Sequence, residues 1–294
     1  MAKPPVRTWT GPSGLWNDPA MWNPAGPSLA NEDVKMGGAG ETMTIPAGCD
    51  AVGGRVYVAS LPASTLHIAQ GGSFAIAGAD GYIKIGFKQK TGVCIVEGDL
   101  LLTDGSHIIV ADGSAEYDST CYGELHMKSG RATCNELFVG ARKSTGKMFQ
   151  TGGSVTAKGV LVGDEVASKG TYRLTGGTLS CSSLAIFNGP LSLASAATVT
   201  VTGSFTCHPG GMLALEMPTA QDQPGIRDIA GNATLAQGSI LQLELGFDPK
   251  AGAEYTILSV TAGHRITGNF TQVPAGWSTH LVDDDTKLVL KYGK

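Results

Sequence analysis

A segment of roughly 23 residues repeats in the middle of this chain, and no other feature limits the fold so tightly. Residues 123–130, 146–153 and 170–177 align, opening on Gly123, Gly146 and Gly170 and closing on Gly130, Gly153 and Gly177. Each is followed by a second short apolar-alternating segment (131–134, 154–157, 178–181) and then a third (137–140, 160–163, 184–187). Equivalent positions keep their class: Leu125, Met148 and Tyr172; Ala132, Val155 and Leu179; Val139, Val162 and Ile186. Weaker copies lie at 71–76, 98–102 and 108–110, and again at 197–202 and 210–215.

Strands this short, alternating with period two, cannot bury an apolar face alone. Stacking one coil on the next closes a continuous core. The spacing leaves no room for the helix of a βαβ unit, and propeller blades of about 40–50 residues do not match the period. The predicted fold class is therefore all-β, a right-handed parallel β-helix with coils of about 23 residues. The division it suggests is 1–48 as an N-terminal cap, 49–216 as coils, and 217–294 as a β-strand region or terminal coils. Residues 217–228 are the candidate linker.

Composition follows from this architecture. Glycine supplies 42 of 294 residues and charged residues only 16%. Coil corners need residues that turn sharply, and alternate strand positions go to the core. The net charge is −4, without a Lys/Arg-rich run, which argues against nucleic acid as a partner. No apolar run approaches the ~18 residues of a spanning helix, so no membrane insertion is expected. Six cysteines show no metal-ligand spacing and read as buried thiols, or one or two bridges. Cys134 and Cys181 occupy the same coil position two coils apart, near ~9.5 Å, beyond disulfide reach.

The N-terminus differs in kind. Trp9, Trp16 and Trp22 fall within 14 residues. They read as rings covering the open end of the first coil, or as an aromatic platform touching sugar. The pattern Trp-x-Gly-x-x-Gly-x-Trp (residues 9–16), the further Trp22, and the Gly-Gly coil segments resemble bacterial and phage surface β-helix proteins, autotransporter-associated repeat proteins among them. The resemblance implies the fold and an exterior location, without an activity. No apolar stretch of the export type follows Met1, which favours a virion protein within that group.

Candidate chemistry is sparse. Asp112, Glu116 and Asp118 gather with His107 nearby, as a pair of glycoside-cleaving carboxyls would require, but also as a loop between coils would. Polysaccharide lyases on this fold use Lys or Arg as base, often with Ca2+; Lys84, Lys88 and Lys90 lie close together, but also as a simple exposed strand and loop would, and no cofactor is expected. Asp283 to Asp285 read as a polar hairpin ahead of a metal site. The expectation is a non-enzymatic structural protein of an exterior surface, as phage capsid decoration, fibre or tail-associated protein on the virion exterior. Its partners would be the same assembly's structural proteins or a homo-oligomer, with surface glycans as a further class. The alternatives are an extracellular or bacterial cell-surface adhesin-like β-helix, and a polysaccharide lyase, glycoside hydrolase or carbohydrate-binding module.

Overall fold

In the computed structural model, residues 4–36, 40–59, 63–77, 80–103, 105–113, 121–164 and 167–293 are described. They form a right-handed parallel β-helix of about 9 turns. Each coil passes through three faces. The first face is a ten-stranded parallel sheet running from Gly14–Leu15 and Thr42–Ile45 to Gly211–Met217 and Ile240–Leu245. The second and third faces share a fifteen-stranded sheet. Early coils use separate strands, such as Asp50–Gly53 and Arg55–Val58. Later coils run both faces in one bent strand, such as Arg131–Ala141 and Gly177–Ile186.

The repeat positions fall in register. Leu125 pairs with Met148, and Met148 with Tyr172. Ala132 pairs with Val155 and then Leu179, and Val139 with Val162 and then Ile186. All nine side chains lie in the core. Cys134 stacks on Ala157, and Ala157 on Cys181. All six thiols are free. Burial pushes the thiols of Cys94, Cys121, Cys134, Cys181 and Cys207 up to about 12, so they stay protonated packing groups.

Strands of the solenoid's two large sheets also lie outside residues 49–216. Asp33–Met36 and Thr42–Ile45 already lie within its sheets, and Ala233–Leu235 and Ile266–Gly268 extend its third face. Alongside that end lies a four-stranded sheet of Ile226–Ile229, Glu254–Val260, Lys287–Tyr292 and Trp277–Val282. Asp283, Asp284 and Asp285 form the turn of its hairpin, all at positive φ.

The three tryptophans are interior. Trp9, Trp16 and Trp22 are at most 4% exposed and meet edge to face, with ring centroids 5.2 and 4.7 Å apart. Trp16 also packs on Phe74, and the Trp22 indole N–H donates to the Trp16 carbonyl at 2.8 Å. An accessible sugar platform at these residues is therefore corrected: the rings fill the first coils, because the short entry strands have no other apolar bulk to bury. Arg7 fastens this segment, donating to both Glu32 carboxylate oxygens at 2.7 and 2.8 Å and to the carbonyls of Pro24, Ala25 and Gly26. The Arg7 hydrogen bonds hold the Glu32 carboxyl below its ordinary value, against the opposing effect of burial. A carboxyl depressed in the folded state contributes stability above its unfolded pKa, and that contribution fades as pH falls through the folded value. Thermal midpoints should thus drop on acidification below about pH 4.5, and Glu32→Gln should flatten that drop while lowering the neutral-pH midpoint.

One corner departs from its own rule. Gly86, Ala111, Gly140 and Gly163 are equivalent, ending the third face, and all have positive φ, 81°, 66°, 79° and 65°. Ala111 alone carries a side chain there, in a region that disfavours Cβ. Ala111→Gly should raise stability by about 0.5–1 kcal/mol, read as a higher urea midpoint at unchanged slope.

Candidate functional site

Strand register brings a group of polar and aromatic side chains together on the exterior of the third face. Lys35 pairs with Tyr57 and Tyr57 with Lys84; in the adjoining row Arg55 pairs with Tyr82 and Tyr82 with His107. Within each row every residue comes from a different coil, so residues more than twenty positions apart become neighbours at the ~4.8 Å strand spacing.

Tyr57 and Tyr82 meet edge to face at 5.5 Å and their hydroxyls hydrogen-bond. Burial, reinforced by that bond, pushes the Tyr82 phenol up and keeps it protonated. Phe87 lies 5.5 Å from Tyr57, tilted by 44°. The Lys84 ammonium sits 4.7 Å from the Tyr82 ring and 4.4 Å from Phe87, and reaches the Asp112 carboxylate at 2.5 Å. Asp112 is fully buried, with Arg142 as a second cation at 3.5 Å. Asp33 takes two hydrogen bonds from Arg55, each 2.8 Å, which raise the Arg55 pKa.

Beside this framework is a cleft of about 500 Å³ lined in part by Lys35, Arg55, Tyr57, Phe87, Lys88 and Lys90. Among the described residues its ionic lining is four cations and the carboxylate of Asp33, which Arg55 holds. Lys35 lies 5.6 Å from the Tyr57 ring and Lys88 5.2 Å from Phe87. Lys88 and Lys90 belong to a tight turn closed by the Lys90 N–H on the Phe87 carbonyl at 3.2 Å. Both central residues of that turn, Lys88 and Gln89, have positive φ, 50° and 65°.

The residues singled out from sequence take separate places. Asp112 and Lys84 are committed to each other. Glu116 and Asp118 lie outside the described residues. His107 begins the strand that Asp112 ends, roughly 16 Å away at ~3.3 Å per residue. It faces Glu136 at 3.6 Å and the Phe138 ring at 6.0 Å. Asp112 and His107 therefore do not flank one bond. Lys88 and Lys90 do stand at the cleft, joined by Lys35, Arg55, Tyr57 and Phe87, which sequence reading passed over. A row of Lys, Tyr and Lys at outward positions of three successive coils was the available signal. Among the described residues no group of three or more His, Cys, Asp and Glu is placed to hold a metal ion. No protein-family model matches this sequence, and no curated protein matches it.

Proposed function

We propose that this chain is a non-enzymatic structural β-solenoid of an exterior surface, in the first instance a phage virion protein of the capsid-decoration, fibre or tail-associated kind. The observation that supports the structural role is how the solenoid uses its ionisable groups. Arg55 bonds Asp33, Lys84 pairs with Asp112, His67 and Lys128 share Glu97, Arg131 meets Asp99, and Arg173 meets Glu216. In each case the partners come from different coils, so charge that could serve acid–base chemistry ties coil to coil. Exposed pairs contribute little individually, roughly 0–1 kcal/mol, but their placement along the rod keeps the stack in register.

The exterior location rests on the resemblance of the tryptophan-rich entry segment and the Gly-Gly coils to bacterial and phage surface β-helix proteins. Two measurements test the reading. Genes for capsid and tail proteins beside this one support the virion assignment, and a bacterial cell-envelope setting would replace it with the cell-surface alternative. Incubation with neutral and acidic polysaccharides should yield no new reducing ends and no unsaturated products. Reproducible turnover would overturn the non-enzymatic role.

A further inference from the structure

We propose that Lys84 and Asp112 condense into an intramolecular amide, a covalent staple between two successive coils. The first observation is seclusion. Asp112 is fully buried and Lys84 only 9% exposed. Aromatic rings flank the pair, with the Lys84 nitrogen 4.7 Å from the Tyr82 ring and 4.4 Å from Phe87. An ion pair so placed carries a desolvation cost that a neutral amide does not. The second observation is geometry. Lys84 Nζ lies 2.5 Å from Asp112 Oδ2, yet among the described residues neither Asp112 oxygen accepts a well-aligned hydrogen bond. The nitrogen is close to the carboxyl group without the alignment of a hydrogen-bonded pair. Cγ is one bond beyond Oδ2, so nitrogen and carbonyl carbon stand at about the 3–3.5 Å of a near-attack arrangement. The third observation is the second cation. Arg142 Nη1 is 3.5 Å from Oδ1, the oxygen that Lys84 does not hold. The coil itself does not require an acid here. In register Asp112 stands between Phe87 and Ala141, both uncharged. It follows Ala111, the one side chain at a corner otherwise held by glycine, and strained positions of this kind concentrate at functional sites.

The step balances without a co-reactant. A proton passes from the Lys84 ammonium to Oδ2 across their contact, giving amine and acid. The Nζ lone pair attacks Cγ, and the negative charge that develops on Oδ1 is met by Arg142. As the carbonyl re-forms, the C–N bond is complete and the Cγ–Oδ2 bond breaks. Oδ2 leaves as water with two of the three ammonium protons, and the third stays on the amide nitrogen. Nothing is oxidised or reduced. Two partners fixed in reacting geometry behave as if at very high concentration, which drives the step forward. A dry surrounding keeps out the water that would reverse it.

Mass reads the product directly. The full chain is denatured and its intact mass measured; it is then digested with trypsin and the peptides are sequenced by tandem mass spectrometry. Lys84→Met and Asp112→Ala are measured beside it. Most wild-type molecules should weigh less than their sequence by one water, about 18 Da. Trypsin should no longer cut after Lys84, and one branched peptide should join the segments carrying Lys84 and Asp112. Both variants should show the full masses of their own sequences. Asp112 precedes Gly113, and ring closure to a succinimide at such a pair loses the same mass. That product would persist in Lys84→Met and would carry no branch. An undiminished wild-type mass, water loss retained in Lys84→Met, or absence of the branched peptide would each overturn the proposal. The wild-type mass and peptides decide the matter even where a variant fails to fold. None of these outcomes bears on the virion assignment or on polysaccharide turnover, so the staple and the structural role stand or fall separately.

Discussion

Gly123→Ala is expected to destabilise the solenoid by about 3 kcal/mol or more. The reason is backbone contact. Gly92, Gly123, Gly146 and Gly170 form one ladder at the start of the first face, each paired with the next. There the chain enters the first face against the end of the third face of the preceding coil. A Cβ on Gly123 would lie 1.9 Å from the Ile85 carbonyl oxygen and 2.7 Å from the Ala111 nitrogen. The same clash recurs along the ladder, at 1.8 Å from Val58 O for Gly92, 2.2 Å from Val110 O for Gly146 and 2.3 Å from Val139 O for Gly170. No flexible side chain can yield, because the obstructing atoms are the hydrogen-bonded backbones of the coils themselves. Relief would require prising neighbouring coils apart, which breaks ladder bonds on both sides. Urea unfolding should show the shift as a lower midpoint, or as failure to fold at all. Gly293→Ala is the matched control: nothing lies within 4 Å of that position, and its midpoint should move by less than about 0.5 kcal/mol.

The same ladder explains why the fold was legible in the sequence and the candidate site was not. Between Leu125 and Tyr172 successive coils have nearly equal length, so equivalent residues recur at a fixed interval. Upstream the interval changes. Leu66 pairs with Cys94, and Cys94 with Leu125, across longer steps, the first of which accommodates the Phe87–Lys90 turn. Alternation survived there, but register did not, and the cleft depends on register. Lys35, Tyr57 and Lys84 become neighbours only once three coils of unequal length are aligned. The tryptophans posed a different difficulty. Spacing alone does not separate rings that cover a core from rings that face a ligand; burial of all three separates them.

A buried polar pair carries the second large expectation. One inward row of the first face reads Ile45, Ile68, Val96, Met127, Gln150, Leu174 and Leu193. Gln150 breaks this apolar row while fully buried. Its amide oxygen accepts from the Tyr172 hydroxyl at 2.5 Å, and its amide nitrogen donates to the Thr178 carbonyl at 3.0 Å. Burial holds the Tyr172 phenol far above its ordinary pKa, so it remains a donor. Tyr172→Phe should cost about 1–3 kcal/mol, because it strands the Gln150 oxygen in the core. Gln150→Leu should cost a similar amount, since it strands the Tyr172 phenol in the core. The double variant removes both the Gln150 oxygen and the phenol, and should be less destabilised than the two single effects added together. The coupling expected from urea midpoints of the four proteins is about 1–3 kcal/mol. If the singles simply add, the pair is incidental. If they couple, it acts as a clamp: Gln150 binds a hydroxyl and a carbonyl of the next coil, and a one-residue slip of that coil would leave the Gln150 amide and the Tyr172 hydroxyl unpartnered in an apolar core.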